Sequence, residues 1–333
     1  MVILSNCLTP VADEGCRKVA NSLVWRLKQA DPANTVISYE SQSELSDVHI
    51  CINKWMLSGK LAALLRKKKE PLLYVPSPAK MLPLAIRVFI LSLFASKGVK
   101  VLVSMRFPVG TAAKWLLKLS RAQVITIAEE DHSYYEKILG SKACRLKVGV
   151  DAEKYVPASE LRQKLRQEYG IPEDKIVVLH VGHLRPERNI ETLMELDDRF
   201  HGVLVVSTQT AHERDARLRQ RLEEKGNITI LDAYLPRIEE VYQMSDVYLF
   251  PVVDQHACIA SPLSALEAAA CDLPVVTTAF GALKELLDKD GFYEITSFEK
   301  KSFNNLLLKA HEEKKSTRDS VLEYDWNMAV WKL

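Results

Sequence analysis

Residues 246–286 contain the side chains best suited to bind an anion next to a pair of hydroxyls. The apolar run VYLFPV is typical of a buried parallel strand, and Leu273–Thr278 predicts a second one. Between them, Ser261 and Pro262 predict a helix start, because serine is a good N-cap and proline suits the first helical position. Backbone N–H groups there would attract an anion, and the carboxylate of Glu267 could accept hydrogen bonds from two hydroxyls. Taken alone, the stretch also fits an ordinary βαβ unit.

Cationic side chains are concentrated in a second stretch, VVLHVGHLRPERNIETL. Arg188 is permanently charged and can bind two oxygens of one phosphate. His183 is a weaker candidate because imidazole is mostly neutral near pH 7, and Arg185 could supply the charge if the loop turned it inward. The alternative interpretation is a βα loop with solvent-facing charges.

Neither of two metal-like patterns predicts a metal site. His180 and His183 are three residues apart, but His180 lies within an apolar run and no third or fourth ligand is near. We therefore expect His180 to be a core histidine. Asp288 and Asp290 form an Asp-x-Asp pattern in a stretch that we expect to be a surface turn.

Composition predicts a globular protein of two domains. The chain has 333 residues, of which 47% are hydrophobic. Its six cysteines have no paired spacing, and the sequence does not begin with a signal-peptide pattern. Both observations favour a reducing cytoplasm.

The two halves of the chain carry opposite net charge. Residues 1–150 contain 22 Lys and Arg against 11 Asp and Glu, whereas the remainder contains 23 against 32. The basic half would suit an anionic acceptor or a membrane surface, with Arg66, Lys67, Lys68 and Lys69 as one basic cluster. Alternatively, the opposite charges help the two domains to face one another. Nucleic-acid binding is not expected, because no aromatic-basic motif accompanies the charge.

Apolar runs alternate with amphipathic stretches throughout the chain, which predicts parallel sheets covered by helices. The predicted strands are Val2–Ser5, Thr35–Tyr39, Val48–Asn53, Leu72–Val75, Val99–Ser104, Gln123–Ala128, Ile176–Val181, Gly202–Ser207, Asn227–Leu231, Val247–Val252, Leu273–Thr278 and Gly291–Ile295. The apolar segment MLPLAIRVFILSLFASKG is interrupted by Arg87 and is expected to form a domain helix rather than a membrane span. We predict domains over residues 1–150 and 151–320, followed by a terminal helix over 321–333.

Three segments follow one another in the order VGVDAEKYVP, HVGHLRPERNIETL and LEAAACDLPVVTT. They resemble the Gly-Val-Asp…Phe-x-Pro, Gly-Arg-Leu-x-x-x-Lys-Gly and Leu-Glu-Ala-Met-Ala-x-Gly-x-Pro-Val-Val-x-Thr signatures of the retaining glycosyltransferases of family four (glycosyl transferases group 1). That family has the GT-B fold. The resemblance therefore implies an α/β protein with two Rossmann-like, doubly wound parallel-sheet domains that face each other across a cleft. The closing DWNMAVWKL is similar to the family's terminal helix, which returns to the N-terminal domain.

The resemblance also implies which residues bind a nucleotide-sugar donor. Glu267 would bind the ribose hydroxyls, and Tyr234 would lie against the nucleobase or simply pack. Independently of the resemblance, Gly15 lies just before a predicted helix, where it would let the backbone approach a phosphate or would serve only as a tight turn. The diphosphate would meet the loop after the first strand of the second domain and the helix start, namely Gly182, His183, Arg188, Ser261, Leu263 and Ser264.

The chain departs from the family pattern at two positions. The family's sugar-binding glutamate is Ile259 here, in a loop about four residues longer than usual. Asp254, with His256 as its neighbour, is the candidate for a displaced acid. Asp272 stands where the family has glycine, and aspartate tolerates a left-handed turn.

These features predict a retaining, metal-independent glycosyltransferase that moves a sugar from a UDP- or GDP-sugar to an acceptor hydroxyl. No cofactor and no catalytic base are assigned. The acceptor would be an anionic or lipid-linked glycan or a small natural product, and the enzyme would be cytoplasmic with peripheral contact to the inner membrane face. The alternative is a non-catalytic nucleotide-sugar-binding homologue or scaffold subunit, which the loss of the sugar-binding glutamate favours.

Overall fold

The computed structural model describes residues 1–10, 14–206 and 216–330, which form two compact units. The first unit contains residues 1–148 together with Ile259–Ser261 and the end of the chain from Trp326. The second contains Gly149–Cys258 and Pro262–Asp325.

The first unit is built on a parallel sheet. Its strands are β1 (Val2–Ser5), β2 (Thr35–Ser38), β3 (Val48–His49), β4 (Leu72–Val75), β5 (Val99–Val103), β6 (Ala122–Thr126) and β7 (Ala143–Arg145). They lie in the order β3-β2-β1-β4-β5-β6-β7, and every pair is parallel. The connecting helices are α1 (Gly15–Ala30), α2 (Gly59–Lys68), α3 (Met81–Phe94), α4 (Thr111–Leu119) and α5 (Glu129–Leu139).

The second unit repeats this architecture. Its strands are β8 (Ile176–Gly182), β9 (Phe200–Val206), β10 (Ile228–Leu231), β11 (Val247–Phe250), β12 (Val275–Thr277) and β13 (Phe292–Glu294), in the order β10-β9-β8-β11-β12-β13. Its helices are α6 (Arg162–Tyr169), α7 (Ala216–Glu224), α8 (Glu239–Gln243), α9 (Leu263–Ala270), α10 (Lys300–Glu313) and α11 (Arg318–Val321). The last helix, α12 (Trp326–Val330), packs against α1 in the first unit.

Both sheets have the doubly wound strand order. The chain first adds strands toward one edge of the sheet, then reverses, returns to the first strand and adds the remaining strands toward the other edge. In the second unit this reversal occurs between β8 and β11, which pair in register from Val247 opposite Val178. Their buried apolar residues explain the continuous hydrophobic runs of the sequence. The predicted α/β fold of two doubly wound parallel sheets is confirmed.

A buried ion cluster fixes α6 to the sheet of the second unit. The carboxylate of Asp246 accepts hydrogen bonds from Arg166 Nη2 at 2.6 Å and from the backbone N–H of Val177 at 2.7 Å. Arg162 also pairs with this carboxylate. Arg166 in turn donates through Nε to the carbonyl of Met244 at 2.9 Å, so the cluster joins α6, β8 and the start of β11.

Several element boundaries differ from the predicted ones. β3 contains only Val48–His49, and β12 begins at Val275. The sequence analysis missed β7, because three residues are too few to show a periodic pattern. The predicted strand end at residue 207 lies outside the described residues.

The terminal segment is broken where a continuous helix was predicted. A short 3-10 helix over Leu322–Tyr324 precedes Asp325, whose backbone is extended (φ −63°, ψ 140°), and α12 follows. Asp325 forms a bridge with Val150 and accepts a hydrogen bond from the N–H of Ala152 at 3.0 Å, which explains the break. Residues 331–333 are outside the described part of the chain.

Candidate active site

The reversal point of the second sheet brings two predicted loops together. β8 and β11 are neighbours, and the loops that follow them, residues 183–189 and 251–262, both leave the carboxyl edge of the sheet. In open α/β sheets, ligands bind in the crevice formed at such a point. The topology therefore places the cationic loop opposite the loop that leads to Glu267.

Arg188 provides a cation at this crevice. It ends a short 3-10 helix, Pro186–Arg188, and its Nη1 lies 3.7 Å from the position that a Cβ on Gly182 would occupy. No carboxylate of the described residues lies within ion-pair distance of it, and its Nε is buried without a hydrogen-bond partner there. A half-buried guanidinium without a counter-ion would be stabilised by an anionic ligand.

Gly182 and His180 form the floor beneath Arg188. A Cβ on Gly182 would lie 3.0 Å from Nε2 of His180, so any larger residue would have to displace the imidazole. His180 is fully buried, as predicted, and its Nδ1 lies 2.9 Å from the carbonyl oxygen of Leu249. Burial lowers the pKa of His180 to about 4, and the charge of Arg188 acts in the same direction. The imidazole is therefore neutral at pH 7, with the proton on the nitrogen that faces the carbonyl.

The other residues of the cationic loop differ in position. His183 is half-buried directly after β8, and its carbonyl oxygen accepts a hydrogen bond from the N–H of Arg185 at 2.9 Å. The side chain of Arg185 is exposed. The loop does not turn it inward.

Asn189 is a residue that the sequence analysis missed. Its φ of 54° is left-handed, and its Nδ2 donates to the carbonyl of Pro251 at 3.2 Å, which ties the two loops together. The available signal was its position, because Asn189 stands where the family signature has glycine. Asparagine tolerates this conformation better than most residues.

Ser261 does not cap the helix, contrary to prediction. α9 begins at Leu263 with Pro262 in the cap position, and no side chain caps it. Ser261 is fully buried and its Oγ donates to the carbonyl of Val148 at 3.0 Å, so it is grouped with the first unit. Leu263 is buried in the first turn of α9, and Ser264 accepts a hydrogen bond from the hydroxyl of Tyr248 at 2.7 Å.

Glu267 lies in a pocket of tyrosines. Its side chain is only 4% exposed, and its Oε2 accepts a hydrogen bond from the hydroxyl of Tyr242 at 2.8 Å. Burial, and then the charge of Glu267, raise the pKa of both Tyr242 and Tyr155, so both hydroxyls stay protonated. Sequence analysis could not find Tyr242, because it precedes Glu267 by 25 residues and shares no local pattern with it.

The long loop after β11 separates into an exposed tip and a buried end. At the tip, Asp254 accepts a hydrogen bond from the N–H of His256 at 2.8 Å, and the His256 ring lies 3.6 Å from the carboxylate. Burial raises the pKa of the Cys258 thiol to about 11, and the charges of Arg188 and Asp254 both reach it. Asp254 at the tip and Arg188 in the cationic loop therefore both act on the same thiol.

The buried end of that loop contains Ile259, which is 5% exposed and is grouped with the first unit. Within that unit, a Cβ on Gly15 would lie 3.0 Å from Cδ1 of Ile259. The glycine at the start of α1 thus lies against an apolar side chain. Its lack of a Cβ is needed for this close approach.

Tyr234 belongs to a loop at a different strand of the second sheet. It follows β10 and its side chain is 51% exposed. β10 lies two strands from β8, which is about 10 Å across the sheet.

Two signature positions have structural explanations. Gly149 passes so close to α9 that a Cβ there would collide with the side chain of Leu266. Asp272 adopts the left-handed conformation (φ 66°), as expected, and its Oδ1 accepts hydrogen bonds from the N–H groups of Thr317 and Arg318 at 2.9 and 3.2 Å. The carboxylate thereby caps α11 and compensates for the absence of glycine.

The Asp-x-Asp pattern that resembles a metal site can also be located. Asp288 and Asp290 lie in an exposed turn, where Asp290 pairs with Lys315 at 3.1 Å. Across residues 1–10, 14–206 and 216–330, no three His, Cys, Asp or Glu side chains gather into a group that could hold a metal ion.

Comparison with known proteins identifies a family model and curated relatives that match part of the chain. The family model described as glycosyl transferases group 1 matches residues 162–323. A putative teichuronic acid biosynthesis glycosyltransferase of Bacillus subtilis is 21% identical over 170 residues, and a D-inositol 3-phosphate glycosyltransferase of Geodermatophilus obscurus is 30% identical over 160. These matches cover 51% and 43% of this chain but only 42% and 34% of the relatives.

Solved structures share the fold of the whole chain. Anabaena HepE in complex with UDP has a TM-score of 0.78 at 15% identity, covering 99% of this chain and 97% of that one. The same protein in complex with UDP-glucose gives a TM-score of 0.74 over 100% of this chain and 98% of that one, again at 15% identity. This likeness shows that the chain has the GT-B fold, and the segment over residues 162–323 is similar to the glycosyl transferases group 1 family.

Proposed function

We propose that this protein is a retaining glycosyltransferase of family four, which transfers a sugar from a nucleotide-diphosphate donor to an acceptor hydroxyl. The observation that carries the proposal is the guanidinium of Arg188 at the crevice between β8 and β11, whose buried Nε has no hydrogen-bond partner among the residues that the structure describes. A similar fold binds UDP and UDP-glucose in HepE, which supports a UDP-sugar donor, with a GDP-sugar as the other candidate.

The proposed chemistry depends on stabilising the leaving diphosphate. Negative charge builds on this group as the glycosidic bond breaks, and Arg188 would neutralise it together with the N–H groups of Leu263 and Ser264 at the start of α9. His183 and the backbone at Gly182 would complete the phosphate site. This charge comes from the protein, so the proposed reaction needs no metal. In front-face retaining transfer the leaving phosphate itself accepts the acceptor's proton, and no separate base is required.

Glu267 would bind the ribose hydroxyls of the donor. An ionised carboxylate can accept both, and the hydroxyl of Tyr242 holds one of its oxygens in place at 2.8 Å. Tyr234 would meet the nucleobase, and Asp254 would take the place of the missing sugar-binding acid.

The acceptor would be bound by the first unit, whose residues 1–148 contain 22 Lys and Arg against 11 Asp and Glu. An anionic or lipid-linked glycan and a small natural product both fit this charge, whereas nucleic acid is not proposed. We propose a cytoplasmic enzyme with peripheral contact to the membrane.

One observation favours a second candidate function. Ile259 occupies the position of the family's sugar-binding glutamate, and its side chain is buried against Gly15. A homologue that binds nucleotide sugars without transferring them would tolerate this substitution.

The donor site can be tested by titration calorimetry with UDP, GDP, ADP, dTDP and their sugars in the presence of EDTA. Arg188→Gln should weaken binding of the preferred nucleotide about 10- to 100-fold, the usual effect of losing a charge-assisted hydrogen bond. Arg185→Gln is the matched control, because it removes the same charge from the exposed side of the same loop. Equal affinities for wild type and Arg188→Gln would contradict the proposal.

Inorganic pyrophosphate separates the role of Glu267 from that of Arg188. Arg188→Gln should weaken pyrophosphate and nucleotide alike, whereas Glu267→Gln should weaken only the nucleotide, because pyrophosphate has no ribose. A Glu267 variant that binds UDP and pyrophosphate as wild type does would remove this residue from the donor site.

Turnover distinguishes the two candidate functions. Slow hydrolysis of the preferred donor, followed by proton NMR, should release a sugar with the anomeric configuration of the donor. Tight donor binding with neither hydrolysis nor transfer to any acceptor of a broad panel would instead favour the non-catalytic homologue.

A further inference from the structure

The first unit contains a long segment without negative charge. Residues 71–128 include eight Lys and Arg and no Asp or Glu. This segment contains β4, α3, β5, α4 and β6, so the bias belongs to one continuous part of the sheet and its helices.

Lys97, Lys118 and Arg121 of this segment lie at one edge of the unit, where the basic end of α2 also lies. α2, α3 and α4 each lead into the next strand of the parallel sheet, so their carboxyl ends lie together at the amino edge of β4, β5 and β6. The N–H of Val99 donates to the carbonyl of Arg121 at 3.3 Å, and the guanidinium of Arg66 lies 5.2 Å from the ring centroid of Phe94. These contacts join the three helix ends into one surface. Its exposed basic side chains include Arg66, Lys67, Lys68, Lys97, Lys118 and Arg121.

None of these six cations forms an ion pair with a carboxylate of the residues that the structure describes. The nearest acid along the chain, Glu70, pairs instead with the N-terminal amine at 3.0 Å. The surface therefore has an uncompensated positive field, which an anionic partner would neutralise.

Large apolar side chains stand between these charges. Leu93 at the end of α3 is 62% exposed, and Trp115 and Leu119 on the adjacent helix α4 are 62% and 68% exposed. The opposite side of α4, with Ala113 and Leu117, is packed into the core. α4 is thus apolar on both its inner and its outer side, which is unusual for a helix that needs only one partner.

We propose that this basic apolar face, formed by the ends of α2, α3 and α4, binds the surface of an anionic lipid bilayer. Leucine and tryptophan would enter the interfacial region, where tryptophan is especially favoured, and the lysines and arginines would lie against the lipid head groups. A nucleic acid would neutralise the charge but would leave Leu93 and Leu119 in water. This inference rests on the proposed function. It adds that the enzyme would bind a lipid-linked acceptor at the surface of the bilayer.

The binding would be peripheral. Within the residues that the structure describes, no helix is long and apolar enough to cross a membrane. Each Lys or Arg close to an anionic surface contributes about fivefold to the binding constant, and salt weakens the attraction.

Vesicle co-sedimentation of the full chain tests the proposal. The protein should sediment with vesicles of phosphatidylcholine and phosphatidylglycerol at low salt, and should stay in solution with phosphatidylcholine alone. The triple variant Lys67→Gln, Lys68→Gln, Lys118→Gln should bind the anionic vesicles about 100-fold more weakly, three successive fivefold losses. Trp115→Ser should weaken binding to the anionic vesicles. At high salt, where the electrostatic attraction is weak, this variant should also bind less than wild type does.

Matched controls use exposed residues elsewhere. Lys284→Gln, Lys289→Gln, Lys301→Gln removes three exposed lysines from the second unit, and Trp25→Ser removes a tryptophan that is 48% exposed on α1. Both should bind vesicles as wild type does. Unchanged binding of the preferred nucleotide by every variant would show that the fold is intact, so a failure here is distinct from a failure of the proposed donor site.

Three results would overturn the proposal. The wild type could fail to bind anionic vesicles, the Lys67/Lys68/Lys118 variant could bind them as well as wild type does, or a control variant could lose as much vesicle binding as the Lys67/Lys68/Lys118 variant. Self-association of the wild type through Trp115, with no affinity for vesicles, would likewise overturn it and identify the face as a protein contact.

Discussion

A fully buried histidine beside an arginine is the most unusual residue of the candidate site. His180 can occupy the floor of the crevice only as the neutral imidazole, because a second positive charge near Arg188 would be buried without a counter-ion. Its ring lies beside those of Tyr248 and Phe250, at centroid distances of 6.5 Å in both cases. Arg188 is thus supported by a group that is polar but uncharged.

The depressed pKa of His180 predicts acid sensitivity. Its pKa is about 4 in the folded protein against an ordinary value of 6.5, so the unfolded chain binds more protons between these values. The stabilising contribution is therefore complete above pH 6.5 and is lost as the pH falls toward 4, by up to about 3 kcal/mol. In His180→Phe, urea unfolding should show a smaller loss of stability between pH 6.5 and 4.5, together with a cost of about 1 kcal/mol at pH 8 for the lost hydrogen bond to Leu249. Parallel pH profiles of wild type and variant would contradict this assignment.

At this scale the sequence allowed some residues to be placed and not others. The positions of Arg188, Asp272 and His180 follow from local pattern, since each belongs to a strand, a loop or a helix end that a short window defines. The capping role of Ser261 was predicted wrongly because its hydroxyl bonds to Val148, 113 residues away. Tyr242 could not be predicted at all, since only the fold brings it to Glu267.

At the scale of elements, the site depends on the ion cluster of Asp246 and Arg166, which joins α6 to the start of β11, as well as on the start of α9. Asp246 is 6% exposed and Arg166 is 4% exposed, so each is a buried charge that depends on its partners. The cluster determines how β11, which carries the loop with Asp254, is held next to β8.

Removing the carboxylate should therefore be costly. Asp246→Ala leaves the guanidinium of Arg166 buried without its partner, and we expect a loss of about 3–5 kcal/mol in the free energy of unfolding. Asp174→Ala is the matched control, because this side chain is 77% exposed and pairs with the partly exposed Lys175 at 3.7 Å. Its effect on urea unfolding should stay below about 0.5 kcal/mol. A comparable small effect of Asp246→Ala would mean that water or rearrangement compensates for the cluster.

Element types were easier to predict than element ends. Long apolar runs such as those of β5 and β8 appear within a residue or two of their predicted bounds, because burial on both faces leaves a continuous signal. β3 and the segment around Asp325 differ because their limits depend on tertiary hydrogen bonds, which no local pattern encodes.

On the scale of the whole molecule, the chain consists of two units that each have their own hydrophobic core. The alternation of strands and helices was enough to predict this architecture, because doubly wound sheets follow from short right-handed connections between parallel strands. The charge asymmetry of the sequence was also visible at once, but the sequence could not show that the basic residues collect at one edge of the first sheet.

Separate cores predict a local response to the donor. A nucleotide at about 100 times its dissociation constant should stabilise the unit that binds it by roughly 2.7 kcal/mol. In hydrogen–deuterium exchange, amides of β8, β11 and the loops after them should be protected, while β1, β4 and β5 should keep their rates. Protection confined to the first unit would place the nucleotide site there instead.

The hydrogen bond from Asn189 to Pro251 has a consequence for how this protein can be altered. It fastens the base of the loop after β11, and the hydroxyl of Thr278 holds the next residue, Val252, through its carbonyl. The exposed tip over residues 253–256 begins only beyond these two anchors. The tip is therefore a segment whose length and sequence we expect to be exchangeable without moving Arg188, so that under the proposed function such exchanges would alter the choice of sugar and leave the proposed phosphate site intact.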